Sequence, residues 1–152
     1  MKSLSITEAK ILLVDENRDG LLVRRTLLEE QGFRVEQAEN GEEGLELFNT
    51  IRFDVVVTGY RIPRMSGTEL IERIRQLDPH ARVVLISGFA EPLGLTEANT
   101  GADVVLTKDS QEQVLLVRSV KRLLNRTVSR KPPRSERRSV VKRMASRRIA
   151  AL

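Results

Sequence analysis

Residues suited to phosphoryl chemistry follow short apolar runs at several points of the sequence. Asp15 and Glu16 come directly after one run, Ser87 ends another, and Lys108 follows a third. Paired carboxylates are hard oxygen ligands of the kind that hold Mg²⁺, which usually keeps several of its waters. A lysine and a hydroxyl can bind the oxygens of a phosphoryl group. If the runs are strands of one parallel sheet, their carboxyl ends meet at one edge, and this set of residues indicates a site for phosphoryl chemistry.

A glycine ends the third of these runs, and the set of residues lacks a group that could be phosphorylated. The apolar run Val55–Thr58 ends at Gly59, and a turn containing Pro63 follows. Glycine carries no side chain, so it supplies neither a nucleophile nor a metal ligand. The strand ends therefore offer two acids, a hydroxyl and an ammonium group around a position without a reacting group.

The elements that must position these residues alternate short strands with amphipathic helices. Apolar runs predict strands at Lys10–Val14, Phe33–Ala38, Val55–Thr58, Val83–Ile86 and Val104–Leu106. Apolar residues at helical spacing predict helices whose stripes are Val23/Leu27/Leu28, Leu45/Phe48/Ile51, Leu70/Ile74/Leu77 and Leu116/Val120/Leu123. Strands that are apolar throughout favour a parallel sheet covered on both faces. With right-handed crossovers, the pattern predicts an α/β fold, doubly wound around a five-stranded parallel sheet.

The fourth crossover of this fold is the weakest part of the pattern. Between Gly88 and Gly101 the sequence contains Pro92 and Gly94, which make a poor helix. We therefore expect a short or irregular connection there.

Composition excludes several classes of protein. The 152 residues, 40% of them hydrophobic, are enough for one domain with a real core and little more. Cysteine is absent, which excludes disulfides and thiolate metal sites and is compatible with the cytoplasm. No apolar run approaches the roughly 20 residues that cross a bilayer, and the first residues lack a signal-peptide core. The sequence predicts a cytoplasmic protein without a membrane span.

The net charge of +5 is divided unevenly along the chain. Residues 125–152 contain ten Lys/Arg and one acid, whereas residues 1–124 contain 16 basic and 20 acidic residues. Pro132-Pro133 would interrupt a helix that continued from the last apolar stripe. We therefore predict a domain over residues 1–124 and a flexible basic extension over residues 125–152. Its predicted contacts with a polyanion are Arg130, Lys131, Arg134, Arg137, Arg138, Lys142, Arg143, Arg147 and Arg148.

Several motifs between Lys10 and Leu124 together resemble the receiver domain of response regulators. They are ILLVDE, QGFRVEQAENGEEGLELF, FDVVVTGYRIPRMSGTELI, VVLISGF and GADVVLTK. The resemblance implies a flavodoxin-like sheet of order 2-1-3-4-5 and a role in two-component phosphorelay signal transduction. It implies that Asp15 and Glu16 match the acidic Mg²⁺ pair, with the backbone carbonyl of Arg61 as a further metal ligand. Ser87 then matches the switch hydroxyl and Lys108 the phosphate-binding lysine.

The chain departs from this family pattern at three positions. Gly59 falls where the family carries its phospho-accepting aspartate, so the resemblance implies no catalytic residue and only weak Mg²⁺ binding. Val105 falls on the usual aromatic switch position, and Asp109 replaces the proline that commonly follows the lysine. Either natural loss of an aspartate or a deliberate replacement accounts for Gly59. These departures predict a pseudo-receiver that acts through contacts with a histidine kinase or another signalling protein, or as a homodimer.

Other functions on a similar fold are less well supported by the sequence. A phosphohydrolase needs a nucleophile or a metal-activated water, and the strand ends offer no carboxylate beyond Asp15 and Glu16. A flavin carrier would have only Tyr60 and four Phe to stack on a ring. The main alternative is non-specific nucleic-acid binding through the basic extension, which would contact phosphates without reading bases.

Overall fold

The computed structural model describes residues 9–88 and 93–129 of the chain. Strands in these ranges are β1 Lys10–Val14, β2 Arg34–Ala38, β3 Val55–Gly59, β4 Arg61–Ile62, β5 Met65–Ser66, β6 Val83–Ser87 and β7 Val104–Thr107. Helices are α1 Arg18–Glu30, α2 Gly41–Thr50, α3 Gly67–Leu77, α4 Glu97–Thr100 and α5 Glu112–Ser129. Within the described ranges no helix is both long enough and apolar enough to span a bilayer.

The main sheet has five parallel strands in the order β2-β1-β3-β6-β7. This is the predicted order 2-1-3-4-5 once the short antiparallel ribbon β4-β5 is set aside. The prediction of a doubly wound α/β fold is confirmed. The ribbon was not predicted, because two-residue strands leave no periodic signal in the sequence.

Burial follows from the position of each strand in the sheet. All five residues of β3 and all five of β6 are buried, as expected for central strands covered on both faces. The edge strand β2 instead alternates between exposed and buried positions. Side chains on one face pack with α1 and α5, represented by Leu13, Leu28, Val57 and Leu116. Side chains on the other face, represented by Val14, Leu70, Ile74 and Leu85, pack with α3.

Two predicted helical stripes differ from the structure in part. In α1 the buried residues are Leu21, Arg24 and Leu28, whereas Val23 is 46% exposed. The prediction that Val23 faces the core is wrong, because the helix is turned so that an arginine occupies the buried row. In α3 Leu70 and Ile74 are buried as predicted, but Leu77 at the last position is 50% exposed.

The fourth crossover, predicted to be short or irregular, joins β6 to β7, and residues 89–92 of it lie outside the described residues. In the described part of this connection, the four-residue helix α4 is followed by Gly101 in a left-handed conformation with φ +84°. The closing helix α5 extends to Ser129, five residues past the boundary predicted at Leu124. The nine basic residues predicted to contact a polyanion, Arg130 to Arg148, lie outside the described residues.

Candidate functional site

The carboxyl ends of four neighbouring strands bring the predicted site residues to one edge of the sheet. Asp15 follows β1, Gly59 ends β3, Ser87 ends β6 and Lys108 follows β7. The register pairs Ser87 with Thr107, and the backbone N–H of Lys108 donates to the Ser87 carbonyl at 3.2 Å. We call Asp15, Glu16, Gly59, Ser87 and Lys108 the strand-end cluster.

Asp15 is the centre of this cluster. Its side chain is only 8% exposed, and its Oδ2 lies 3.8 Å from the Nζ of Lys108. A Cβ added to Gly59 would lie 3.5 Å from both Cγ and Oδ2 of Asp15. Oδ2 is therefore the oxygen that faces residue 59, where a side chain would complete the cluster.

The loop after β1 fixes the other oxygen of Asp15. The backbone N–H of Asn17 donates to Asp15 Oδ1 at 3.2 Å. The Asn17 side chain caps α1 by accepting from the N–H of Gly20 at 2.8 Å. The turn that starts the helix thus also orients the carboxylate.

Arg24 is a functional-site residue that sequence reasoning missed. Its Nη1 donates to Asp15 Oδ2 at 3.1 Å, and its Nε and Nη2 donate to the two carboxylate oxygens of Glu112 at 2.6 and 3.3 Å. The side chain is 8% exposed, so both ion pairs are largely withdrawn from water. One signal could have found it: Arg24 lies three residues after Leu21 and four before Leu28, within a buried row.

The turn after β3 packs its backbone closely against the start of α3. The N–H of Gly67 donates to the Tyr60 carbonyl at 2.7 Å, and a Cβ on Gly67 would overlap the carbonyl oxygen of Gly59. Ser66 caps α3 by accepting from the N–H of Glu69 at 3.1 Å. Arg61 pairs with Ser66 in the ribbon, and its side chain is exposed. That the Arg61 carbonyl could bind a metal stays a prediction.

The remaining predicted residues differ in how far they are buried. Ser87 is buried at 3% exposure; it follows Ile86, which pairs with Gly59, and it pairs with Thr107, which precedes Lys108. Glu16 is exposed, and no described residue forms a hydrogen bond or ion pair with its side chain. Val105, at the position of the family's aromatic switch, is partly buried in β7 and donates its N–H to Glu97 Oε2 at 3.1 Å.

The cluster is a poor fit for Mg²⁺ as it is folded. Mg²⁺ needs near-octahedral oxygen ligands, usually with one or two carboxylates free to bind it. Both oxygens of Asp15 already have partners, and Oδ2 has two cationic ones, Arg24 and Lys108. In the part of the chain that the structure describes, no three acidic or histidine side chains group as a metal site.

Comparison with known proteins identifies the family. The family profile described as response regulator receiver domain matches residues 11–119. The chain is 40% identical to a response regulator receiver protein from Anaeromyxobacter sp. (strain Fw109-5) over 78 residues, which is 51% of this chain and 33% of that protein. It is 29% identical to the sporulation initiation phosphotransferase F of Bacillus subtilis, over 54% of this chain and 66% of that protein. The matches thus span from one third to about two thirds of these relatives.

Solved structures give the same result for the fold. The response regulator protein TrrA of Thermotoga maritima, solved in complex with Mg(2+)-BeF, superposes with a TM-score of 0.69 at 28% identity, covering 76% of this chain and 98% of that one. The profile match, the strand order and the edge at which Asp15, Ser87 and Lys108 meet all agree. This chain belongs to the response regulator receiver domain family.

Proposed function

We propose that this receiver domain protein takes part in phosphorelay signalling without being phosphorylated at the usual position, and that it acts through contacts with other proteins. The observation that carries the proposal is Gly59, whose Cβ position lies 3.5 Å from Asp15 in the strand-end cluster. An acyl phosphate needs a carboxylate at the attacking position, and glycine offers none. The neighbouring lysine and serine cannot replace that group.

The other acids near Gly59 are poor substitutes for the missing acceptor. Asp15 is buried, and its oxygen facing Gly59 is paired with Arg24 and Lys108. Both carboxylate oxygens of Glu112 accept hydrogen bonds from Arg24. Receiver domains are signalling modules, and we propose that this one has no enzymatic activity of its own.

The partner class follows from the family. We propose a histidine kinase or another protein of the same relay as the partner, with a homodimer as an alternative assembly. A cytoplasmic location stays a prediction from the sequence, and Mg²⁺ at Asp15 and Glu16 would bind weakly.

The proposal can be tested with a panel of autophosphorylated histidine kinases. The chain and its Gly59→Asp variant are compared for binding by surface plasmon resonance and for phosphoryl transfer by radiolabel. We expect one kinase to bind both proteins with similar affinity and to transfer phosphate only to the variant. Label on the parent chain, or binding by the variant alone, contradicts the proposal.

A second function, weak binding of nucleic acid through the C-terminal part, is favoured by the surface of α5. Its exposed residues include Arg118, Lys121, Arg122 and Arg126, and its acid, Glu112, is held by Arg24. Arg118, Arg122 and Arg126 are spaced four residues apart, so they form one row about 12 Å long at 1.5 Å per residue. Because a duplex carries about one phosphate per 1.7 Å of axis, several phosphates come within reach of that row. We propose that α5 and the basic extension bind a polyanion together.

A further inference from the structure

We propose that the guanidinium group of Arg24 takes the place of a divalent cation in the strand-end cluster, so that the folded domain needs no Mg²⁺. The inference rests on the proposed function, because it treats the cluster as a receiver site without a phospho-acceptor. It adds to that function a statement about metal: Arg24 and a metal ion would compete for Asp15, and Arg24 prevails.

The guanidinium of Arg24 lies against the oxygen of Asp15 that a metal would bind. A metal shared by Asp15 and residue 59 would bind Oδ2, the oxygen that faces Gly59. That oxygen already accepts from Arg24 Nη1 at 3.1 Å, with Lys108 Nζ at 3.8 Å. Asp15 Oδ1 accepts from the N–H of Asn17. A metal could bind Oδ2 well only after Arg24 had moved.

Glu112 holds Arg24 in place. Its Nε and Nη2 form a two-pronged pair with Glu112 at 2.6 and 3.3 Å. The side chains of Asp15, Arg24 and Glu112 are 8%, 8% and 12% exposed. Moving Arg24 would take the arginine partner from two poorly hydrated carboxylates, which is strongly unfavourable. The bidentate fork of arginine suits this role better than a lysine would.

The positive and negative charges around Arg24 are equal in number. Asp15 and Glu112 carry two negative charges, and Arg24 and Lys108 carry two positive ones within hydrogen-bond or ion-pair distance. With the partly exposed Lys108 included, the group is therefore balanced without an added ion. Because Glu112 opens α5 and Asp15 follows β1, the same arginine ties α5 to the strand-end cluster. This tie does not depend on the supply of metal or phosphate.

The experiment compares thermal unfolding in EDTA and in excess MgCl₂ for the parent chain, Arg24→Met and Arg25→Met. Arg25 is the matched control: it is the next residue of α1, and it pairs with Glu29 at 3.0 Å on a more exposed surface. We expect MgCl₂ to leave the melting temperature of the parent and of Arg25→Met unchanged. Arg24→Met should melt lower in EDTA, and a tenfold excess of Mg²⁺ over its Kd should raise that value by about 5 °C.

A double variant locates the effect. In Arg24→Met/Asp15→Asn the rise with MgCl₂ should disappear, because the carboxylate released by the first change is then gone. The inference is overturned if the parent gains as much from MgCl₂ as Arg24→Met does, or if Arg24→Met gains nothing.

A measurement on the parent chain covers the case in which Arg24→Met does not fold. Mn²⁺ is titrated into the ¹⁵N-labelled parent, and paramagnetic broadening of the amide signals of Asp15 and Gly59 is compared with that of the exposed acidic pair Glu42 and Glu43. We expect no selective loss at Asp15 and Gly59. Selective loss there overturns this inference and leaves the proposed function intact, whereas phosphate on the parent overturns the proposed function independently of any metal result.

Discussion

Asp15 and Gly59 face each other across neighbouring strands, with the Cβ position of Gly59 3.5 Å from the carboxylate of Asp15. That separation is an ordinary van der Waals contact, so a side chain can start at residue 59 without displacing Asp15. Gly59 is also outside the glycines with positive φ, which in the described chain are Gly32, Gly94 and Gly101. An aspartate at this position is therefore compatible with the backbone.

The first prediction concerns covalent phosphorylation. Incubation of the parent chain with acetyl phosphate and Mg²⁺ should give no phosphate adduct, because residue 59 offers no carboxylate. Gly59→Asp should gain a single adduct, and Gly59→Asn, which has the same shape without the nucleophile, should gain none. Intact-mass spectrometry distinguishes the three proteins. A stable adduct on the parent or on Gly59→Asn would mean that another residue is the acceptor.

The second prediction concerns the stability of substitutions at Gly59. Gly59→Ala should stabilise the domain by about 0.5–1 kcal/mol, because alanine loses less backbone entropy than glycine in a strand. Urea denaturation measures the change. A loss of stability would show that the space beside Asp15 is smaller than the structure indicates.

The third prediction concerns charge at the same position. In EDTA, Gly59→Asp should melt below Gly59→Asn, because it adds a second negative charge beside the buried carboxylate of Asp15. Mg²⁺ should raise the melting temperature of Gly59→Asp by more than that of the parent, because the added carboxylate gives Mg²⁺ a ligand that does not depend on displacing Arg24 from Asp15. Equal melting temperatures of the two variants in EDTA, or equal Mg²⁺ shifts in Gly59→Asp and the parent, would count against a shared acidic site.

The fourth prediction uses the second glycine of the same turn. Gly67→Ala should destabilise the domain by about 1–3 kcal/mol, because its Cβ would overlap backbone atoms that cannot rotate away. The neighbouring Tyr60 Cα would also be only 3.0 Å away. Alanine at Gly59 and alanine at Gly67 thus have opposite expected signs. Unfolding curves of the two variants, measured side by side, check this contrast.

The fifth prediction concerns the basic extension. The full chain should bind DNA or RNA weakly and without sequence preference, with a slope of log K against log salt of roughly −4 to −5 if about five charges contact phosphates. Truncation after Ser129 keeps all of α5 that the structure describes and should remove most of the binding. Changing Arg118 and Arg122 to Gln in the full chain should make the slope less steep by about 2 if α5 contributes.

Fluorescence anisotropy with a labelled duplex at several salt concentrations measures these slopes. Arg34→Gln, an exposed substitution on the edge strand β2, is the control for loss of charge alone. Undiminished binding by the truncated chain would assign the site to α5, and no binding at low salt by the full chain would remove this function.

The sequence was enough to predict the fold because the apolar composition of its central strands indicates a buried parallel sheet. Val55–Val57 and Val83–Ile86 are apolar at every position, which is typical of strands in a sheet covered on both faces, and the structure buries β3 and β6 completely. The convergence of Asp15, Ser87 and Lys108 followed from the same signal, because parallel strands end at one edge. That Gly59 falls at the acceptor position stays a prediction from the resemblance to receiver domains.

Only the tertiary structure decided which side chains form ion pairs around Asp15. Arg24 and Glu112 are 88 positions apart, and their meeting depends on the rotation of α1 and on where α5 begins. Hydrophobic spacing predicted Val23 as the buried residue. From the sequence alone, Arg24 in that row would have been a buried charge with no visible partner. The structure supplies two partners, Asp15 and Glu112, and these ion pairs offset the loss of water around the guanidinium. Pairing between distant side chains leaves no periodic trace in a sequence, so only the packed domain reveals it.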